Sequence, residues 1–116
     1  MKIYHLSTCN TCQRILKELE PLDEVKLQDI KTDTITEKQL EQMYALAGSY
    51  EALFSKRARL YREKGLYEKE LSEADYRKYI LEHYTFLKRP VVLANDQIFI
   101  GNSKKTVAAA REAIHS

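Results

Sequence analysis

Glycine and proline are scarce in this sequence, with three and two residues among 116. This scarcity, together with 44% hydrophobic and 31% charged residues, excludes collagen-like, low-complexity and mostly disordered chains. A chain of this length buries about two-thirds of the surface that its unfolded form exposes, which is enough for a hydrophobic core. We therefore expect one folded domain spanning residues 1–116.

Long apolar runs and a large net charge are also missing. The longest apolar stretches, such as Val91–Ala94, are far shorter than the roughly 20 residues of a membrane-spanning helix. Nineteen basic residues are nearly balanced by seventeen acidic ones, so no global field attracts nucleic acid. Residues 1–6 resemble neither a secretory signal nor a transit peptide. We expect a cytoplasmic protein without membrane or direct nucleic-acid binding.

The first thirty residues predict a strand, a helix and a second strand. Residues 2–6 are strand-like, and residues 25–30 alternate with period two, as in a half-buried strand. Between them, apolar residues recur with helical spacing at Cys12, Ile15, Leu16 and Leu19. A βαβ unit of this kind predicts two parallel strands in one sheet.

A helical insert of about residues 36–86 is predicted next. Capping boxes at Thr36 and Ser72, each completed three residues later, mark the beginnings of two helices. Gly48 has the position of a residue that ends the first of them. Tyr76, Tyr79 and Tyr84 are expected to pack in or around the core, since a base-stacking surface is the less common use of such residues.

The chain after Pro90 predicts a hairpin and a final helix. Residues 91–94 and 97–100 are strand-like and flank an Asn95-Asp96 turn. Ser103 has the position of an N-cap, from which a helix extends to Ile114. The whole order is β-α-β, a helical insert and β-β-α, so the fold class is α/β with the insert between the second and third strands.

The sequence has only two cysteines, Cys9 and Cys12, and they lie where the first strand meets the first helix. The free N–H groups and the positive dipole at a helix N-terminus stabilise a thiolate, so the pKa of Cys9 should fall below its ordinary value. Cys12 lies one turn further on, within the apolar stripe. An exposed nucleophilic thiol and a sheltered resolving thiol are what dithiol redox chemistry needs.

Other readings of these residues stay open. The cysteines could be two ordinary buried residues in a reducing compartment, and a zinc site is disfavoured because His5, His83 and His115 are the only further soft ligands. His5 could lower the pKa of Cys9 as a cation or could be an inert histidine. The basic residues that run from Lys56 to Lys64 and continue at Lys88-Arg89 could be a solvated face or could hold an oxyanion or a glutathione carboxylate through planar arginine donors.

Several segments resemble the arsenate-reductase (ArsC-like) family, which includes the Spx-type regulators, over nearly the whole chain. The segments are Ile3-Tyr4-His5, Cys9-Asn10-Thr11-Cys12, Leu53-Phe54-Ser55-Lys56-Arg57, Tyr61-Arg62-Glu63-Lys64-Gly65-Leu66 and Lys88-Arg89-Pro90-Val91-Val92. The resemblance implies a thioredoxin-like fold and a cis peptide bond at Pro90 facing the active thiol, whereas the base rate of cis bonds alone would favour trans.

The resemblance also implies roles for individual residues. Cys9 matches the nucleophile, His5 matches the residue that lowers its pKa, and Arg57 and Arg89 match two arginines that cradle the oxyanion. The position of Cys12 is typically Ser in the glutathione-coupled reductases, and here it is Cys, as in Spx-like members. No resident cofactor or metal is implied.

Two functional hypotheses follow. In the first, Cys9 attacks an oxyanion or a disulfide, Cys12 or glutathione resolves the adduct, and glutaredoxin or thioredoxin restores the enzyme. In the second, the chain resembles Spx in function, and a Cys9–Cys12 disulfide switches its binding to the RNA polymerase alpha subunit.

Overall fold

The computed structural model describes residues 1–116, with the elements in the predicted order. Four strands and five α-helices make up the regular structure, and short 3-10 helices lie at Glu51–Leu53, Leu66–Glu68 and Tyr84–Phe86. In chain order the elements are β1 Lys2–His5, α1 Asn10–Leu19, β2 Lys26–Asp29, α2 Glu37–Ala47, α3 Arg59–Glu63, α4 Glu73–Glu82, β3 Val91–Ala94, β4 Gln97–Ile100 and α5 Lys104–His115. No helix combines the length and the apolar character needed to cross a membrane.

The chain forms two compact units, one from residues 1–34 and 89–116 and the other from residues 35–88. The predicted insert, about residues 36–86, falls within the second unit. The first unit contains a four-stranded sheet with the strand order β2-β1-β3-β4. β1 pairs with β2 in parallel, as the βαβ pattern predicted, and β3 is antiparallel to both β1 and β4. The predicted α/β fold class is thus confirmed.

Helices α1 and α5 supply the apolar side chains that pack with the sheet of the first unit. The helical stripe of α1 is buried as predicted, and α5 contributes Val107, Ala110 and Ile114. The buried cluster that they form with β1 and β3 consists of Ile3, Ile15, Leu16, Leu19, Val92, Ala94, Val107, Ala110 and Ile114. This packing fixes α1, and therefore its N-terminal residue, relative to the sheet.

Strand β2 departs from the predicted burial pattern. Leu27 is 49% exposed, whereas its neighbour Gln28 is only 5% exposed. The Gln28 side-chain amide donates a hydrogen bond to the carbonyl of Asp33 at 2.9 Å, so its burial leaves this donor satisfied. Successive residues of a strand point to opposite faces of the sheet, so at this edge strand the face that carries Gln28 is covered and the face that carries Leu27 is open.

The predicted hairpin is present between β3 and β4. Asn95 and Asp96 form its turn with φ values of 53° and 60°. Both are left-handed, as a two-residue turn of type I′ requires, and Asn and Asp tolerate this conformation better than most residues.

The second unit begins with the predicted capping boxes. Thr36 and Ser72 each accept a hydrogen bond from the N–H three residues on, and each box is closed reciprocally by Gln39 or Asp75. Gly48 ends α2 in the left-handed conformation, with φ 85°. These local signals define both helices as the sequence predicted.

An aromatic cluster forms much of the core of the second unit. The ring of Phe54 lies 4.8 Å from that of Tyr76 and 5.3 Å from that of Phe86, and Tyr79 contacts Phe86 at 5.6 Å. Tyr84 stacks on His83 with the ring centroids 4.4 Å apart. The predicted packing role of Tyr76, Tyr79 and Tyr84 is therefore correct.

Candidate active site

The loop between β1 and α1 places Cys9 at the beginning of the helix. The N–H of Cys9 donates to the carbonyl of Leu6 at 3.0 Å, which closes a tight turn. The carbonyl of Cys9 accepts the first helical hydrogen bond, from the N–H of Gln13 at 3.1 Å. Cys9 is thus the N-cap residue. The thiol lies beside N–H groups that have no partner within the helix.

The half-buried thiol of Cys9 is the more acidic of the pair. Partial burial raises its pKa, but hydrogen bonds from the N–H and thiol of Cys12, the charge of Arg89 and the N–H of Thr11 outweigh burial. The pKa of Cys9 therefore lies below its ordinary value. Since the thiolate is the nucleophilic form, these contacts increase the fraction of reactive Cys9 at neutral pH.

Cys12 has the opposite character. Its side chain is fully buried, and this burial, together with the charge and hydrogen bonding of Cys9, raises the pKa of Cys12 to about 11. Both cysteines are free. At neutral pH Cys12 is consequently a thiol that donates a hydrogen bond to Cys9. It becomes a nucleophile only when it has lost its proton.

Arg89 and Pro90 follow the insert in the chain and belong to the same unit as Cys9. The Arg89–Pro90 peptide bond is cis, as the family resemblance implies. Pro90 is buried just before β3, which lies antiparallel to β1, and its carbonyl accepts a hydrogen bond from the N–H of Gly101 at 3.0 Å. The charge of Arg89 lowers the pKa of both cysteines, so the structure brings this arginine together with the thiol pair.

His5 ends β1, opposite Asp29 at the end of β2. Its Nδ1 atom is buried without a hydrogen-bond partner. A hydrogen bond from Ser7 is the main influence lowering the pKa of Asp29, and the positive charge of His5 acts in the same direction. His5 therefore lies at the carboxyl end of the sheet from which the Cys9 loop begins. Its effect on Cys9 stays a prediction.

Arg57 belongs to the second unit, where it is exposed ahead of α3. Two other cations of the predicted basic run are neutralised locally, because Lys56 pairs with Glu51 at 2.9 Å and Arg59 with Glu63 at 2.7 Å. No ion pair is formed by Arg57. Its action on an oxyanion at Cys9 stays a prediction from the family resemblance.

Asp29 was missed by the sequence reasoning. Its Oδ1 atom accepts hydrogen bonds from the N–H of Ser7 at 3.3 Å and from the N–H of Lys31 at 3.2 Å. The carboxylate therefore joins the Cys9 loop to the turn after β2. A signal was available, because an Asp at the carboxyl end of a parallel strand lies beside the loop that follows the neighbouring strand.

No cluster of three or more His, Cys, Asp or Glu residues could hold a metal ion. The site therefore contains two hydrogen-bonded thiols of unequal pKa under the influence of one guanidinium group.

Comparison with known proteins gives a consistent result for the fold. The ArsC family model matches residues 4–110. The arsenate reductase from Vibrio cholerae is 22% identical, with 97% of this chain and 98% of that protein covered and a TM-score of 0.74. A Staphylococcus aureus protein is 25% identical, with 94% and 96% covered and a TM-score of 0.75.

An arsenate reductase (ArsC) related protein from Brucella melitensis is 19% identical, with 93% of this chain and 91% of that protein covered and a TM-score of 0.70. No curated protein sequence matches the chain.

Proposed function

The chain belongs to the ArsC family, and from that premise we propose that it is a thiol oxidoreductase whose nucleophile is Cys9. Family membership supports thiol redox chemistry at the level of the family. The observation that carries the proposal for this chain is the pairing of Cys9, with its lowered pKa, and the buried Cys12 at the beginning of α1.

With a disulfide as substrate, the Cys9 thiolate attacks one sulfur, forms a mixed disulfide and releases the other sulfur as a thiolate. Cys12 then loses its proton and attacks the sulfur of Cys9. This step forms the Cys9–Cys12 disulfide and releases the second substrate thiolate, so two electrons pass from the protein to the substrate. Glutathione or a dithiol protein such as glutaredoxin or thioredoxin returns the two electrons.

With an oxyanion such as arsenate, the Cys9 thiolate forms a bond to the central atom, and one oxygen takes up protons from solvent and leaves as water. A thiolate of Cys12 or glutathione then attacks the Cys9 sulfur and forms a disulfide. The bond from that sulfur to the central atom breaks, and its electron pair stays on the central atom, which is thereby reduced by two electrons. Arg89 would hold the negative charge of the substrate beside the sulfur, and Pro90 would shape the groove. We propose Arg57 as a second donor to the oxyanion, on the family resemblance.

The test is NADPH consumption coupled to glutathione and glutaredoxin, or to thioredoxin, with arsenate and with a small disulfide as separate substrates. Cys9→Ser should abolish turnover of the accepted substrate, because serine is not ionised at neutral pH. Cys12→Ser is the matched control, and it should retain turnover where glutathione can resolve the adduct. Arg57→Gln should raise KM for an oxyanion, whereas Arg59→Gln, at an exposed position paired with Glu63, should not.

Unchanged turnover in Cys9→Ser would refute the proposal. The absence of turnover with either substrate, combined with redox-dependent capture of the RNA polymerase alpha subunit by the purified protein, would instead support the Spx-like switch.

A further inference from the structure

The loop that carries Cys9 is tied to the neighbouring strand through one carboxylate. Asp29 is the last residue of β2, and β2 lies parallel to β1, so its side chain is next to the residues that leave β1. The Oδ1 atom of Asp29 accepts the N–H of Ser7 at 3.3 Å, and the hydroxyl of Ser7 also bonds to the carboxylate. Ser7 therefore has two links to Asp29.

Asp29 is itself held firmly. Its Oδ1 atom accepts the N–H of Lys31 at 3.2 Å, and its carbonyl accepts the N–H of Asp33 at 2.8 Å. The next residue, Ile30, donates its N–H to the carbonyl of His5 at 2.9 Å. Hydrogen bonds in the turn after β2 and to β1 thus hold Asp29 in position beside the Cys9 loop.

Only Thr8 separates Ser7 from Cys9, so the position of Ser7 constrains the backbone that carries the Cys9 side chain. The lowered pKa of Cys9 depends on short-range contacts with the N–H groups of Thr11 and Cys12, and such hydrogen bonds weaken steeply with distance and angle. Holding Ser7 in place therefore preserves the geometry on which the reactivity of Cys9 depends.

We propose that Asp29 is a positioning residue for the Cys9 nucleophile, acting through its hydrogen bonds to Ser7. The proposal rests on Cys9 being the nucleophile, as in the proposed function. In this role the side-chain oxygen of Asp29 acts as a hydrogen-bond acceptor, and the negative charge of the carboxylate is not needed for it.

The loss of the charge of Asp29 and the loss of its hydrogen bonds predict opposite changes in the pKa of Cys9. A negative charge near Cys9 disfavours the thiolate, so its removal alone would lower the pKa of Cys9. The loss of the hydrogen bonds frees the loop and should raise that pKa. His5, at the end of β1, is the charged group that acts on Asp29, and the direct partners of the carboxylate are the hydroxyl of Ser7 and backbone N–H groups.

The experiment measures the rate of Cys9 alkylation by iodoacetamide as a function of pH in the reduced full-length chain, with the modified residue identified by mass spectrometry. Asp29→Ala should raise the pKa of Cys9 and slow alkylation at neutral pH by about threefold to tenfold. Asp29→Asn keeps an oxygen acceptor without the charge and should react at the wild-type rate or slightly faster. Ser7→Ala, which removes only the exposed hydroxyl, should slow the reaction to a smaller extent.

Asp33→Ala is the matched charge control, because it removes an equal charge from the same turn at an exposed side chain. It should leave alkylation of Cys9 unchanged. Wild-type behaviour of Asp29→Ala would overturn the proposal. Slowing in Asp29→Asn as large as in Asp29→Ala would also overturn it, since an uncharged oxygen acceptor at this position would then fail to hold the loop. If Asp29→Ala does not fold, Asp29→Asn and Ser7→Ala still decide between these outcomes.

Alkylation needs no substrate or reductant. A failure of every turnover assay would therefore refute the proposed function without affecting this measurement, and a failure here would leave the proposed function standing.

Discussion

At the scale of single residues, one helical turn separates two thiols with opposite properties. Cys9 is at the N-cap, where N–H groups and the Arg89 charge stabilise its thiolate. Cys12 faces the core, where burial favours the protonated thiol. Their different reactivity therefore comes from position along α1, because the two side chains are chemically the same.

Arg89→Gln should raise the pKa of Cys9. Arg89 is the charged side chain that lowers this pKa, and its removal leaves the thiolate with hydrogen bonds as its remaining stabilisation. We expect alkylation of Cys9 at neutral pH to slow by roughly twofold to tenfold, as the rate of iodoacetamide modification over a range of pH will show.

Two variants serve as controls for this prediction. Arg89→Lys keeps the charge and should restore most of the rate. Arg14→Gln makes the same change of charge on the exposed side of α1, where Arg14 pairs with Glu18 at 3.1 Å, and should have no effect. Equal rates in Arg89→Gln and the wild type would show that the guanidinium does not stabilise the thiolate.

At the scale of elements, α1 is fixed at its C-terminal end by side chains of α5. Arg111 donates through Nε to the carbonyl of Glu18 at 3.0 Å, and Nε2 of His115 lies 2.7 Å from the carbonyl of Leu19. These carbonyls are among the last of the helix and have no partner within it. A cationic donor is also favoured there by the helix dipole.

Removal of either donor should lower the stability of the first unit. Arg111→Ala and His115→Ala should each lower the free energy of unfolding by about 1 kcal/mol, since each removes one hydrogen bond to a helix end. Urea unfolding at pH 7 is the measurement. Arg14→Ala, which breaks only an exposed ion pair within α1, should cost less than either variant, and an equal or larger cost would contradict the role assigned to α5.

The elements show which features a sequence can specify locally. The capping boxes at Thr36 and Ser72, the turn at Asn95-Asp96 and the N-cap at Ser103 were predicted correctly because each depends on residues within one turn. The exposure of Leu27 was not, because burial in an edge strand depends on which elements cover its faces. Alternation of apolar residues predicts two faces but not their surroundings.

The same distinction applies to the candidate site. Cys9 and Cys12 were identifiable because their spacing and their place before a helix are local features. Arg89 was assigned to the site as an oxyanion-binding arginine by the family resemblance, whereas its effect on the pKa of both thiols was not predicted, since Arg89 lies at the other end of the insert. Asp29 was missed because its contact with Ser7 exists only once β1 and β2 are paired.

At the scale of the whole molecule, the chain leaves the sheet unit after residue 34 and returns at Arg89. Cys9 comes from the first passage through this unit, and Arg89 and Pro90 come from the second. The thiol pair therefore acquires its neighbouring charge only when β3 has joined β1. The reactivity of Cys9 and the folding of the sheet unit are consequently linked, and pH should affect both.

The raised pKa of Cys12 determines the direction in which pH changes the stability of the fold. In the unfolded chain Cys12 loses its proton near its ordinary pKa of 9.0, whereas in the folded protein it keeps the proton up to about pH 11. Its stabilising contribution is therefore complete below pH 9 and is lost as the pH rises through that interval. Cys9 acts in the opposite sense, because its lowered pKa adds stability as the pH rises towards its ordinary value.

Comparison of Cys9→Ser with the double variant Cys9→Ser, Cys12→Ala isolates the contribution of Cys12 and prevents formation of an intramolecular disulfide. The single variant should be the more stable at pH 8, because alanine leaves space in the core where Cys12 is fully buried. Its advantage in urea unfolding should shrink by about 1 to 2 kcal/mol between pH 8 and pH 11, since burial, the largest cause of the raised pKa, remains without Cys9. The titration of lysines and tyrosines is common to both variants and cancels in the difference. A difference that stays constant over this range would mean that the buried thiol ionises as easily as an exposed one.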